Sequence, residues 1–325
     1  MAATRRDPRI RLLVVGAVLL LAGLSAGWYL LRDRPQACHG KALPVGVVAA
    51  PDITPALAAI AARFNVQPHE IGGRCAQIEV EARDPGTVVR SLAKGDRSDV
   101  DAWVPDSSMW LDRARAAGAR AVGFGSPLAA SPVVIAAPRA VAAELRDDGI
   151  AASWRLLKNA PLHASVRVLD PARDAAGVAV ALAARATVGR VTAPHAPGPA
   201  RLYASFAGLQ DLRRPLVAAS EQSVVAYNDA HRPNPASVIV PEEGTLLLDH
   251  PFVAVSTDPL RAQAVDAFRW ALRGRQAVDT FQWYGFRTTD GRLDLRDATR
   301  LGLRETLPRI LPAPTPAQVA AAMRS

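Results

Sequence analysis

The chain predicts an α/β protein built on doubly wound sheets. Three observations carry that expectation. Valine-rich runs of strand length alternate with helical patterns from Leu43 onward. Several of those strands are apolar throughout, as strands covered on both faces are. The first three strand–helix units also follow one another directly, the pattern of parallel winding. With 325 residues, 50% of them hydrophobic and 21% charged, the composition is globular and there is material for two lobes.

The elements read as follows. "LPVGVVAA", Leu43–Ala50, is the first strand, and Thr54-Pro55 opens a helix as N-cap and first-turn proline, with Leu57, Ile60, Ala61 and Phe64 inward. Ala76–Ala82 alternates as a second strand. Asp84-Pro85 starts the next helix, lined by Val88, Val89 and Leu92 and stopped by Gly95. The third strand, "VDAWVP", runs into Asp106-Ser107-Ser108 and a helix ending at Gly118. Ser131–Pro138 is a further apolar strand. Helical "AVAAELRDD" and "SWRLLKN" come next, then a strand over Ala164–Asp170 and a helix from Asp174 to Val188. Gly189–Ala200 is a Pro/Gly-rich loop. Helices are expected over Leu202–Leu212 and from Ser220 through Tyr227; "SVIV" and His250–Ser256 are strands. Asp258-Pro259 caps a helix that Gly274 closes. Residues 301–325 are Pro/Ala-rich and read as a linker ending on a short helix.

The first 42 residues concern location. Leu12 to Leu31 is an uncharged run of twenty residues, about 30 Å of helix, enough to span a bilayer. Arg5, Arg6, Arg9 and Arg11 precede it, so residues 1–11 stay in the cytoplasm and the body after a 32–42 linker is exported. Trp28 and Tyr29 fall where an aromatic belt would lie. A signal peptide cleaved within Ala22–Gly27 is the alternative, which would release the body. Cys38 and Cys75 are the only cysteines, and in an exported chain such a pair is expected to form a disulfide.

The formal charge is +9, but six arginines against two aspartates in residues 1–35 account for four of those charges. The remaining +5 shows no Lys/Arg run and aromatics are 5% of residues, so nucleic acid is not an expected partner. Enzyme templates are missing: the chain holds no GxSxG, no HExxH and no GxxxxGK[ST], and its six histidines are scattered. No enzyme activity, metal or cofactor is expected.

In open α/β sheets ligands bind beyond the carboxyl ends of the strands, where helix N-termini present N–H groups. Polar residues closing the strands are therefore the candidates: Asp52, Ser107, Ser108, Ser131, Arg173, Asp174, Gly177, Glu221 and Gln222. Each has a structural alternative. Ser107 is a helix cap as readily as a ligand contact, Asp52 a turn residue, Arg173 and Asp174 a solvated ion pair. For an anionic ligand Arg173 is the candidate donor. Tyr227 reads equally as core.

The order of "VGVVAAPDITPAL", "DVDAWVPDSSMWL", "SPLAASPVVIAAP", "LDPARDAAGVAVAL", "SEQSVVAYN", "PEEGTLLLDHPFVAV" and "FQWYGFRTTDG" resembles extracellular solute-binding proteins of the type II periplasmic class, which includes molybdate and sulfate binders. It is most similar to the solute-binding domain of bacterial envelope proteins that also carry a von Willebrand factor A domain; the Asp-x-Ser-x-Ser motif of that second domain is absent from this chain. The resemblance implies two lobes joined by crossing strands: residues 43–131 with 250–300, and 132–249. It brings Asp52, Ser107, Ser108 and Ser131 to the cleft from one lobe, and Arg173, Asp174, Gly177, Glu221 and Gln222 from the other. The implied activity is capture of a small polar or anionic solute for transport or sensing. A transporter permease or another envelope protein is the implied partner, and the bilayer is held through residues 12–31. An envelope scaffold with a vestigial cleft is the competing function.

Overall fold

The computed structural model describes residues 38, 40–119, 125–160, 164–206, 214–232 and 235–324. The apolar run 12–31 with its flanking arginines, Trp28 and Tyr29, and the expected helix beyond residue 206 lie outside them. Among the described residues no helix is long and apolar enough to cross a membrane.

Two six-stranded mixed sheets organise the chain. The first is built from β1 (Lys41–Ala49), β2 (Glu70–Ile71), β3 (Arg74–Ala82), β4 (Ala102–Val104), β5 (Ser126–Pro127) and β12 (Pro251–Ala254), in the order β2-β3-β1-β4-β12-β5. The second contains β6 (Ser131–Pro138), β7 (Ser165–Leu169), β8 (His195–Ala196), β9 (Pro215–Ser220), β10 (Ala236–Ile239) and β11 (Leu247–Leu248), with β10-β6-β9-β7-β8 in line and β11 on β6. Parallel winding is confined to β3-β1-β4 and to β9-β7-β8. The expectation of doubly wound sheets thus needs amending: β12 pairs antiparallel with β4, and β6 with β9, because each is reached by a crossing between sheets and not by a βα turn.

In the first lobe α1 (Thr54–Asn65), α2 (Pro85–Ala93) and α3 (Met109–Ala116) follow β1, β3 and β4, and α8 (Pro259–Ala271) and α9 (Arg275–Trp283) return to it. The second lobe holds α4 (Arg139–Asp147), α5 (Ala175–Val188), α6 (Pro199–Tyr203) and α7 (Glu221–Ala230). The period-two geometry of β1 places Val45, Val47 and Ala49 against α1 and α8, and Val48 on the opposite face with Val88, Trp103 and Trp110. Both faces of the central strand are therefore covered, which is why it lacks polar alternation. Helix starts follow local chemistry. Asp84 accepts from Thr87 N at 2.9 Å and Asp174 from Ala176 N at 2.8 Å, whereas Thr54 lies inside α1 and donates to Ala50 O at 2.9 Å. The "SWRLLKN" stretch holds only a 3₁₀ turn, Trp154–Leu157.

The chain passes between the sheets from β5 to β6 and from β11 to β12. The first crossing is pinned by a two-way bridge between Ala130 and Arg287, 2.8 and 2.7 Å. At the second, His250 has φ of +38°, a backbone conformation rarely tolerated with a side chain. Cys38 and Cys75 form a disulfide with Cα atoms 5.8 Å apart, fastening the segment before β1 to β3. Closing a loop of 37 residues contributes about 4 kcal/mol in the chain-entropy picture.

The tail is docked, against the linker expectation. Thr245 N donates to Arg309 O and Leu311 N to Thr245 O; α10 (Leu295–Leu301) precedes this stretch and α11 (Pro316–Ala322) follows it. A Thr315–Gln318 capping box starts α11, and its buried Val319 and Ala322 join the apolar cluster that runs through both lobes.

Candidate functional site

The carboxyl ends of β1, β4, β7 and β9 converge, one pair from each lobe. The residues just beyond each strand decide the character of the cleft. Pro51-Asp52 ends β1, Pro105-Asp106 ends β4, Asp170 to Asp174 leads from β7 into α5, and Ser220-Glu221 leads from β9 into α7.

Asp52 is held from two sides. Its Oδ1 accepts from Ile53 N at 2.8 Å and its Oδ2 from His250 Nε2 at 2.8 Å. His250 is fully buried, and its Nδ1 faces Leu248 O at 3.3 Å. With an acceptor at both ring nitrogens the imidazolium satisfies the site best. Burial alone would lower its pKa, but the charge and hydrogen bond of Asp52, with Asp106 and Asp249 behind, outweigh burial and raise it.

Asp106 lies beside this pair. It is 9% exposed and its Oδ1 has no hydrogen-bond partner among the described residues. The Trp110 indole lies close enough to lower its pKa a little but does not complete a hydrogen bond. Burial, and then the carboxylates of Asp174 and Asp52, push Asp106 well above the ordinary range. Asp174, from the opposite lobe, caps α5 and is pushed up to about 6, first by burial and further by Asp52 and Asp84, against the N–H groups of Ala176 and Gly177 that favour its charge. Carboxylates of both lobes thus share one region, and the only cation hydrogen-bonded to any of these three among the described residues is His250.

Asp52 also forms part of the wall of a cavity of about 750 Å³ between the lobes. Pro51 and Asp52 contribute from the first lobe; Tyr203, Phe206, Gln222, Ser223 and Tyr227 are among the second-lobe lining. Tyr203 and Tyr227 stack at 4.8 Å, with Phe206 edge-on to both at 5.5 Å. The phenol of Tyr203 bonds Ser223 Oγ at 2.8 Å, which orients the ring at the wall. The volume suits a small organic solute.

The remaining candidates have other duties. Ser107 is 2% exposed and its Oγ accepts from Met109 N at 3.3 Å, a helix-start contact; Ser108 is exposed and its N donates to Asp249 Oδ1 at 2.7 Å. Ser131, fully buried, accepts from Gln222 N at 3.0 Å and so ties β6 to the start of α7. Gln222 lines the cavity, and its Nε2 lies 3.5 Å from Tyr284 O. At Gly177 a Cβ would stand 2.6 Å from Leu169 O, so the glycine is needed for α5 to approach the β7 turn. The Arg173 side chain is exposed, its backbone N bonds Asp170 O, and no ion pair joins it to Asp174 among the described residues.

Glu221 is turned inward. It is fully buried in a two-pronged pair with Arg287, Oε1 to Nε at 2.7 Å and Oε2 to Nη2 at 3.0 Å. The guanidinium's other hydrogens reach the carbonyls of Gly291, Arg304 and Glu305 at 3.2, 2.8 and 3.2 Å. Glu221 therefore joins the second lobe to the crossing strand and the tail. Arg173, the expected donor to an anion, has its side chain exposed, and the polar groups nearest the cleft are carboxylates. Sequence reasoning named Asp106 at its strand end without choosing it, weighed Tyr227 as core, and missed Tyr203, Phe206, His250 and Arg287. Only the "Asp-His-Pro" before β12, at a crossing between sheets, was a local signal for His250.

A family model described as bacterial extracellular solute-binding protein matches residues 45–287. No curated protein sequence matches the chain. Among solved structures, the sulfate-binding protein SubI from Mycobacterium tuberculosis H37Rv aligns with TM-score 0.59 and 18% identity, over 85% of this chain and 96% of that one. A periplasmic thiamin binding protein aligns with TM-score 0.61 and 15% identity, over 88% and 94%. Iron-bound HitA from Pseudomonas aeruginosa aligns with TM-score 0.61 and 13% identity, over 87% and 97%. At such identities the likeness is one of fold: two α/β lobes of the periplasmic-binding-protein kind. With the family model matching most of its length, this chain belongs to the bacterial extracellular solute-binding proteins.

Proposed function

We propose that the protein captures a small polar solute between its lobes outside the cytoplasmic membrane and presents it to a transporter permease or a sensor, acting as a receptor and not as an enzyme. Residues 12–31 keep it on the membrane in this reading. The observation that supports it is the cavity whose wall takes Asp52 from one lobe and Tyr203, Gln222 and Tyr227 from the other, so that occupancy and lobe closure are linked. The structural neighbours bear the names of sulfate, thiamin and iron binders, ligands of opposite charge on one fold, so the ligand must be argued from side chains.

A ligand that binds the folded state alone raises its melting temperature by mass action. A thermal-shift screen of oxyanions, sugars, amino acids and polyamines is expected to give at least one concentration-dependent rise. A flat response to every class removes the proposal.

A further inference from the structure

The identity of the charged groups in the cleft narrows the solute class, and the inference rests on the cleft being the solute site. We propose that the ligand is an organic cation, its positive nitrogen set against Asp52, with Asp106 and Asp174 behind, and its apolar body laid along Tyr203, Phe206 and Tyr227.

Asp106 carries the argument furthest. A carboxylate 9% exposed with an unpartnered oxygen is destabilising where it stands, and proteins rarely leave such a group without a use. Its backbone carbonyl accepts from His250 N at 3.3 Å, which sets it beside the Asp52–His250 pair, and Asp174 at the start of α5 is near enough in the other lobe for their charges to act on one another. The positive groups do not balance these. His250 is committed to Asp52, Arg232 at the cavity rim is paired with Asp229 at 3.4 Å, Arg113 lies over the Trp110 ring and donates to Ala172 O at 3.2 Å without a hydrogen bond to any of the three carboxylates, and the Arg173 side chain is exposed. An oxyanion would enter against this charge. A neutral solute without a hydrogen to donate would leave the buried Oδ1 of Asp106 unpartnered.

A bare metal ion fits less well than an organic cation. Among the described residues no three His, Cys, Asp or Glu side chains converge closely enough to hold one. Of the three carboxylates only Asp52 lines the cavity, and it connects the acidic side of the cleft to walls made of aromatic rings. Diffuse charge on an apolar body matches both features. The same arrangement links binding to closure: carboxylates of opposite lobes repel as the lobes approach, and a cation between them converts that repulsion into attraction.

The test uses the full chain at low ionic strength and pH 7.5, with melting temperature and titration calorimetry as readouts. The probes are choline, benzyltrimethylammonium and spermidine chlorides, set against sodium sulfate, phosphate and molybdate, calcium and iron salts, and neutral sugars. At least one organic cation is expected to bind and stabilise while the oxyanions and sugars do not. Asp106→Asn and Asp174→Asn are each expected to weaken that binding at least about tenfold while leaving the unliganded melting temperature unchanged or higher, a combination that a merely structural carboxylate would not produce. Binding of an oxyanion, a sugar or a metal ion alone overturns the cation class and leaves the receptor function standing. Binding of no probe in any set overturns both.

Discussion

Replacing Arg287 by methionine isolates a buried ion pair that joins the lobes. The substitution preserves the apolar stem but removes five hydrogen bonds: two to Glu221 and one each to Gly291, Arg304 and Glu305. Glu221 is then a buried carboxylate without a cation. Breaking one side of such a pair costs about 3–5 kcal/mol, most of it the desolvation of the partner left behind. For a protein of this size each kcal/mol lowers the melting temperature by about 2 °C, so a fall of about 6–10 °C is expected by differential scanning calorimetry. Burial already raises the Glu221 pKa against the pull of Arg287. Without the guanidinium Glu221 protonates more readily, so the loss is expected to shrink as pH falls from 8 to 5. Glu221→Gln combined with Arg287→Met is expected to cost less than the two single losses added together. A melting temperature within about 2 °C of the parent, or strictly additive losses, refutes the reasoning.

Two further outcomes are expected. The unliganded protein is more stable at pH 5.5 than at pH 7.5. Asp106 and Asp174, the latter raised to about 6, bind protons more tightly folded than unfolded, so their penalty grows as pH rises through that range. His250, also raised, loses its stabilising charge on the same ascent. A melting temperature that climbs from pH 5.5 to 7.5 contradicts this sign. Gly177→Ala sets a methyl 2.6 Å from Leu169 O and is expected to cost about 1–3 kcal/mol, read by denaturant unfolding; a neutral result means the β7 turn yields freely.

What the sequence alone determined was local. Valine-rich β1 and the Asp84, Asp174 and Asp258 caps are written in neighbouring residues, because strand burial and N–H capping act over a few positions. The family was likewise legible from the order of motifs, and the Cys38–Cys75 pair from there being two cysteines. Strand edges also indicated where ligands meet an α/β sheet, which is why Asp52 and Asp174 were named. Only the tertiary structure decided what those residues face. Asp52 meets His250 across 198 positions and Glu221 meets Arg287 across 66, and no pattern within a window of the chain records either pairing. The sign of the cleft's charge is a sum over side chains brought together by two sheet crossings. Electrostatic energy depends on distance and burial, neither of which exists until the chain has folded.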